Sequence, residues 1–133
     1  MDDTALVQVA WAAREHAYAP YSKFRVGAAL LGDSGEVFPG CNVENLSFGL
    51  TICAERVAVC SAIAVGVRRF RKIAIVSNSV EPISPCGACR QVLAEFGIEI
   101  VVLSENKGGQ RFEASLAELL PRATTGILDK IEE

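Results

Sequence analysis

Cys53-Ala54-Glu55-Arg56-Val57-Ala58-Val59-Cys60-Ser61-Ala62-Ile63-Ala64-Val65-Gly66, then Lys72-Ile73-Ala74-Ile75-Val76-Ser77, then Pro85-Cys86-Gly87-Ala88-Cys89, is the stretch that decides how this chain folds. The first segment predicts a helix over Thr51 to Val65, ended by Gly66 just past its last turn. The second is an apolar run of the kind found in buried strands, and the third opens a helix over Cys86 to Phe96 closed by Gly97. Helix, strand and helix in that order imply layered α/β packing. Both cysteine groups fall at predicted helix amino termini. Unpaired N–H groups and the positive end of the helix dipole lower a thiol's pKa there and supply the thiolates that zinc binds.

Outward from this unit, Leu6, Val7, Ala10, Trp11 and Ala13 recur at helical spacing between Thr4 and Ala17. Val26 to Leu31 and Val37 to Val43 flank Gly32-Asp33-Ser34-Gly35, whose turn chemistry predicts a hairpin. Ile98 to Leu103 reads as a further strand, Asn106 to Gln110 as a turn and Arg111 to Ala114 as an edge strand. Ser115 and Glu118 make a capping box for a short last helix that stops at Pro121. The expected fold is therefore three-layer α-β-α, with a mixed central sheet of about five strands. The second helix has almost no polar face, which requires cover on all sides. One sheet cannot provide that, so a partner subunit is expected against it.

The 133 residues fit a single domain, 1–133, and half of them are hydrophobic. A net charge of -3 argues against a nucleic-acid partner, whose binding draws on clustered Lys and Arg. Arg68, Arg69, Arg71 and Lys72 read as a solvated connection after Gly66. Met1 to Thr4 have no basic region leading into an apolar stretch, and no run approaches the ~18 residues of a membrane span. A cytoplasmic location is expected, where thiols stay reduced and cysteines more often bind metal than form bridges.

Ligand count separates two kinds of zinc site. Structural zinc is closed by four protein ligands, whereas catalytic zinc keeps a position for water. Cys60, seven residues beyond Cys53 on the same helix, lies about 10 Å along the axis and cannot share its metal. Cys41 has no spacing that recommends it. With Cys53, Cys86 and Cys89 as three ligands, Glu55 can lie beside the water as general acid/base without ligating. Arg56 is placed to donate to the thiolates and offset their charge. Cys41 and Cys60 are expected to be small buried apolar residues, and His16 a surface residue at a helix end.

The cysteine and glutamate pattern resembles the zinc deaminase signature, in the version with Cys in place of His. Across nearly the whole chain the sequence is similar to the small homotetrameric cytidine deaminases. Tyr18-Ala19-Pro20-Tyr21-Ser22-Lys23-Phe24, Gly40-Cys41-Asn42-Val43-Glu44-Asn45, Cys53-Ala54-Glu55-Arg56 and Ser84-Pro85-Cys86-Gly87-Ala88-Cys89-Arg90-Gln91 carry that resemblance. It implies hydrolytic attack at C4 of cytosine, with Glu55 moving protons to N3 and to the departing ammonia, so that cytidine and deoxycytidine become uridine and deoxyuridine. It also implies that Asn42 and Glu44 hold the ribose 3′-hydroxyl, that Phe24 walls the base, that the backbone of Ala54 meets the pyrimidine edge, and that subunits share the site. Phe48 stands where relatives often have Tyr, and Thr124 where many have a Phe that stacks on the base. Two alternatives stay open: a deaminase of a related aminated nucleoside or nucleoside-like antibiotic, and a structural zinc module that catalyses nothing.

Overall fold

The computed structural model describes residues 1–123; Thr124, and whatever it contributes to a pocket, lies outside them. Helix α1 spans Asp3–Arg14, and the Asp2 carboxylate caps it by accepting the Ala5 N–H at 2.8 Å. Strand β1 (Val26–Gly32) and strand β2 (Val37–Cys41) form the hairpin, which turns through Gly35 at φ 95°. A single 3-10 turn, Phe48–Leu50, precedes helix α2 (Ala54–Ala64). Strand β3 (Phe70–Ser77), helix α3 (Gly87–Ala94), strand β4 (Val101–Asn106), strand β5 (Arg111–Ser115) and helix α4 (Leu116–Leu119) complete the described chain.

The sheet order is β2-β1-β3-β4-β5. Only β3 and β4 run parallel, joined by the crossover through α3; the other three pairings are antiparallel. Side-chain alternation divides the core into two. Ala29, Leu31, Ala74, Val76 and Leu103 face α1 through Leu6, Val7 and Ala10. Ala28, Leu30, Ile73, Ile75 and Val102 face the other way, against Ala54, Ala58, Val59 and Ala62 of α2, Leu93 of α3 and Leu116 of α4. The result is the expected three-layer sandwich around a mixed five-stranded sheet. No helix among the described residues is long and apolar enough to cross a membrane.

Several element boundaries differ from the sequence expectation. Helix α2 starts at Ala54 rather than Thr51, because Ile52 is drawn into a two-way backbone bridge with Val43, both bonds at 2.9 Å. Cys53 therefore becomes the N-cap of α2, as Cys86 does for α3. Strand β4 starts at Val101 rather than Ile98, since the carbonyls of Ile98 and Ile100 receive the N–H groups of Ala117 and Leu116. It then runs three residues past Leu103, through Ser104, Glu105 and Asn106, which pair with Ile75 to Ser77. That polar end breaks the apolar pattern from which a strand is read.

Gly40 sets how closely α2 approaches the sheet. A Cβ there would sit 2.4 Å from the Ala54 carbonyl oxygen and 2.7 Å from the Ala58 nitrogen, both backbone atoms that cannot step aside. Gly40→Ala is expected to destabilise the fold by about 1–3 kcal/mol, as overpacking of a filled interior does. A thermal melt checks this, and an unchanged midpoint would show that α2 has slack against β2.

Candidate metal centre and active site

Both N-cap cysteines have extended backbone, with ψ of 154° at Cys53 and 165° at Cys86. Neither sulfur makes a capping hydrogen bond to its helix. Cys89 follows in the first turn of α3 and is completely buried. The Sγ atoms of Cys53 and Cys86 are 3.8 Å apart and those of Cys86 and Cys89 3.5 Å, and all three lie within 4.8 Å of one another. Tetrahedral zinc with bonds of about 2.3 Å to sulfur would place its ligands about 3.8 Å apart, whereas a disulfide would need about 2.05 Å. Soft sulfur donors at this spacing fit zinc. They form the one group of three metal-binding side chains among the described residues.

The other two cysteines stand outside this group. Cys41 is half-buried, and burial raises its thiol pKa. Cys60 is exposed in the single chain. It falls on the outer side of α2, whose inner side is Ala54, Glu55, Ala58, Val59 and Ala62. His16 is exposed beyond the end of α1, as expected.

Neighbouring groups favour the thiolate form of Cys53. A hydrogen bond with Cys89, followed by others with Arg56 and Cys86, brings its thiol down to about 5 against the opposing effect of burial. The same bond with Cys53, and then burial, raise Cys89. Arg56 donates from Nη2 to Cys53 Sγ at 3.5 Å and to the Thr51 carbonyl at 3.4 Å, and the contact with Cys53 raises its own pKa. Its Nε is buried without a partner. Glu55, adjacent to Arg56, is 4% exposed, and burial pushes its carboxyl up to about 7. A carboxyl with that value can both take and give a proton near neutral pH.

A second cluster joins the segment 18–26 to the segment 42–44. Tyr18 donates its N–H to the Asn42 carbonyl, and Glu44 donates its N–H to the Tyr18 carbonyl. The Asn42 side chain is buried: Oδ1 accepts the Val26 N–H at 2.9 Å and Nδ2 donates to the Phe24 carbonyl at 2.8 Å. One acceptor and one donor of that amide's four positions are thus spent on backbone, leaving one of each. Glu44 Oε1 accepts the N–H groups of Tyr21 and Ser22 at 2.9 and 3.1 Å, and Oε2 accepts the Ser22 hydroxyl. The Ser22 hydroxyl leads the contacts that hold the Glu44 carboxyl below its usual range. Phe24 is 39% exposed, and Ala54 is fully buried against the sheet.

Glu44 opens onto a cavity of about 220 Å³ lined by Tyr21, Ser22, Phe48 and Thr51. Tyr21 and Phe48 meet edge to face with centroids 5.6 Å apart. Thr51 links the two clusters, since it borders this cavity and its carbonyl receives Arg56. Sequence reasoning singles out neither Ser22 nor Thr51. Ser22 lies inside the Tyr18 to Phe24 block, but its partner Glu44 is 22 residues away.

The comparisons with known proteins agree with this geometry. Residues 1–105 match the family model described as the cytidine and deoxycytidylate deaminase zinc-binding region. The chain is 50% identical over 125 residues to a cytidine deaminase of Sporosarcina psychrophila, covering 92% of this chain and 91% of that protein. It is 48% identical over 126 residues to a cytidine deaminase of Halalkalibacterium halodurans, covering 94% and 96%. Among solved structures, a cytidine deaminase from Burkholderia pseudomallei superimposes with a TM-score of 0.91 at 52% identity, over 93% of this chain and all of that one. With three sulfurs between two helix starts, a buried glutamate beside them and this similarity along nearly its whole length, the chain belongs to the zinc-dependent cytidine and deoxycytidylate deaminase family.

Proposed function

We propose that this chain hydrolyses the exocyclic amine of cytidine and deoxycytidine, releasing uridine or deoxyuridine and ammonia, a step of pyrimidine salvage. The observation that carries this reading is the buried Glu55 carboxyl, two residues beyond Cys53 and flanked by a sulfur triad of zinc spacing. Cys53, Cys86 and Cys89 would hold one zinc ion per chain. When bound, zinc supplies Lewis acidity that makes water a nucleophile at neutral pH. Glu55 takes the proton that water loses and delivers protons to N3 of the ring and to the leaving amine. Arg56 sets its positive charge against the Cys53 sulfur. On the sugar side, Glu44 keeps one Oε2 lone pair for a hydroxyl, since three of its four acceptor positions are taken by Tyr21 and Ser22. Phe24 walls the base, and the backbone of Ala54 meets its edge.

Nucleosides fit the cavity beside Glu44 better than nucleotides, because none of its lining residues is a cation and a phosphate would meet a carboxylate. The outer side of α2, with Cys60, Ser61, Ala64 and Val65 exposed, and the exposed Leu46, Phe48, Leu50 and Ile52 are the surfaces that further copies would cover. We read the protein as a cytoplasmic homotetramer of single-domain chains with the site shared between subunits. Ammonia release from cytidine and deoxycytidine, but not from the monophosphate or single-stranded DNA, is the expected result. It should accompany about one zinc per chain and a sedimentation mass four times that of the chain. A zinc-loaded protein inert on every cytosine nucleoside would leave the structural module as the better reading.

A further inference from the structure

Phe24 is held at both of its backbone polar groups by residues of the sugar side. Its N–H donates to Ser22 Oγ at 3.0 Å, and its carbonyl accepts Asn42 Nδ2 at 2.8 Å. Between Ser22 and Phe24 stands Lys23, at φ 62° in the left-handed region, where a side chain with a Cβ is uncommon. This reversal brings the Phe24 N–H back onto the hydroxyl two residues earlier. That same hydroxyl donates to Glu44 Oε2. One oxygen, as donor and as acceptor, therefore joins the carboxylate that opens on the cavity to the backbone of the aromatic residue. Ser22 itself lines the cavity.

We propose that Ser22 is a positioning residue for nucleoside binding, whose hydroxyl fixes the Glu44 carboxylate and the Phe24 backbone together, so that the sugar acceptor and the base wall move as one unit. The inference rests on the reading of Glu44 as the partner of the sugar 3′-hydroxyl and of Phe24 as the wall of the base. Removing the hydroxyl leaves the carboxylate held through Oε1 alone, by the N–H groups of Tyr21 and Ser22, so that Oε2 and its open lone pair lose their fixed direction. It also leaves the Phe24 N–H without its acceptor. Neither change touches the sulfur triad or Glu55. The effect is therefore one on binding: KM rises while turnover of bound substrate is largely kept.

The test compares the zinc-loaded parent protein with Ser22→Ala and Ser22→Thr on cytidine and on 3′-deoxycytidine, with zinc content and melting temperature measured on each. For Ser22→Ala, KM for cytidine is expected to rise about tenfold with kcat within about twofold, since an oriented hydrogen bond to a charged group is lost. Ser22→Thr, which keeps the hydroxyl, should return KM to within about twofold of the parent. On 3′-deoxycytidine the penalty of Ser22→Ala should shrink to about threefold or less, because the sugar part of the contact is already missing. An unchanged KM for Ser22→Ala would overturn the proposal. So would an equal loss on both nucleosides, a loss that Ser22→Thr shares, or one that follows a fall in zinc content or melting temperature. If the parent itself handled the two nucleosides equally, the Glu44 assignment would fail first, and the role of Ser22 in sugar binding would go with it.

Discussion

Glu55→Gln is expected to keep its zinc and its fold and to lose turnover on cytidine by about 10³-fold, within the range that positioned acid/base groups supply. Glutamine matches the shape of glutamate and can fill the same buried space at the first turn of α2. It cannot take a proton from water or return one to N3. Zinc quantitation and steady-state kinetics on the same preparation separate the two consequences. Activity within about tenfold of the parent, at full zinc content, would remove Glu55 from the proton path.

A stability measurement on chelated protein adds an independent readout. Burial raises the folded-state carboxyl from 4.5 to about 7. The contribution of this group to stability is therefore fully present below pH 4.5 and is lost as pH rises through about 7. Glutamine carries no such dependence. The variant should melt higher relative to the parent at pH 8 than at pH 4, and a constant difference would show that the carboxyl is not buried in the charged form's disfavour.

Cys89→Ser is the second change of large effect. Its sulfur is wholly buried, 3.5 Å from Cys86 Sγ and hydrogen-bonded with Cys53. Serine is nearly the same size but offers a neutral hydroxyl where zinc takes a thiolate. Zinc affinity is expected to fall by at least about 10²-fold, more than the loss typical of a partner one shell out, and activity with it. Competition with a chromogenic chelator measures the affinity directly. Cys60→Ser, on the exposed side of α2, should bind zinc like the parent. If Cys89→Ser retained parental affinity, a different set of ligands would have to be sought.

The metal centre was legible because its signals are local. Cys53, Glu55, Cys86 and Cys89 fall within the first turns of two helices, and the spacing inside each turn fixes which groups converge. The five strands were legible for the same reason, with errors where polar residues end an apolar run, as Ser104 to Asn106 do in β4. The sugar side was harder to read. Asn42 looks like a free amide at a strand end, yet its contacts with Val26 and Phe24, 16 and 18 residues away, take one acceptor and one donor of it. Ser22 depends on Glu44 in the same way. Which side of α2 its own sheet covers was not legible, because a helix apolar on every side does not mark it; Cys60 falls on the side the sheet leaves open.

The lone tryptophan gives the molecule a built-in optical probe with a restricted view. Trp11 on α1 donates its indole N–H to Glu105 Oε2 at 2.6 Å, and the Arg14 guanidinium lies 5.7 Å from its ring centre. Those contacts place the fluorophore on the face of the sheet opposite α2 and α3. Its emission should follow the docking of α1 and stay silent while metal is exchanged at the sulfurs, so the two halves of the sandwich can be watched separately in one cuvette.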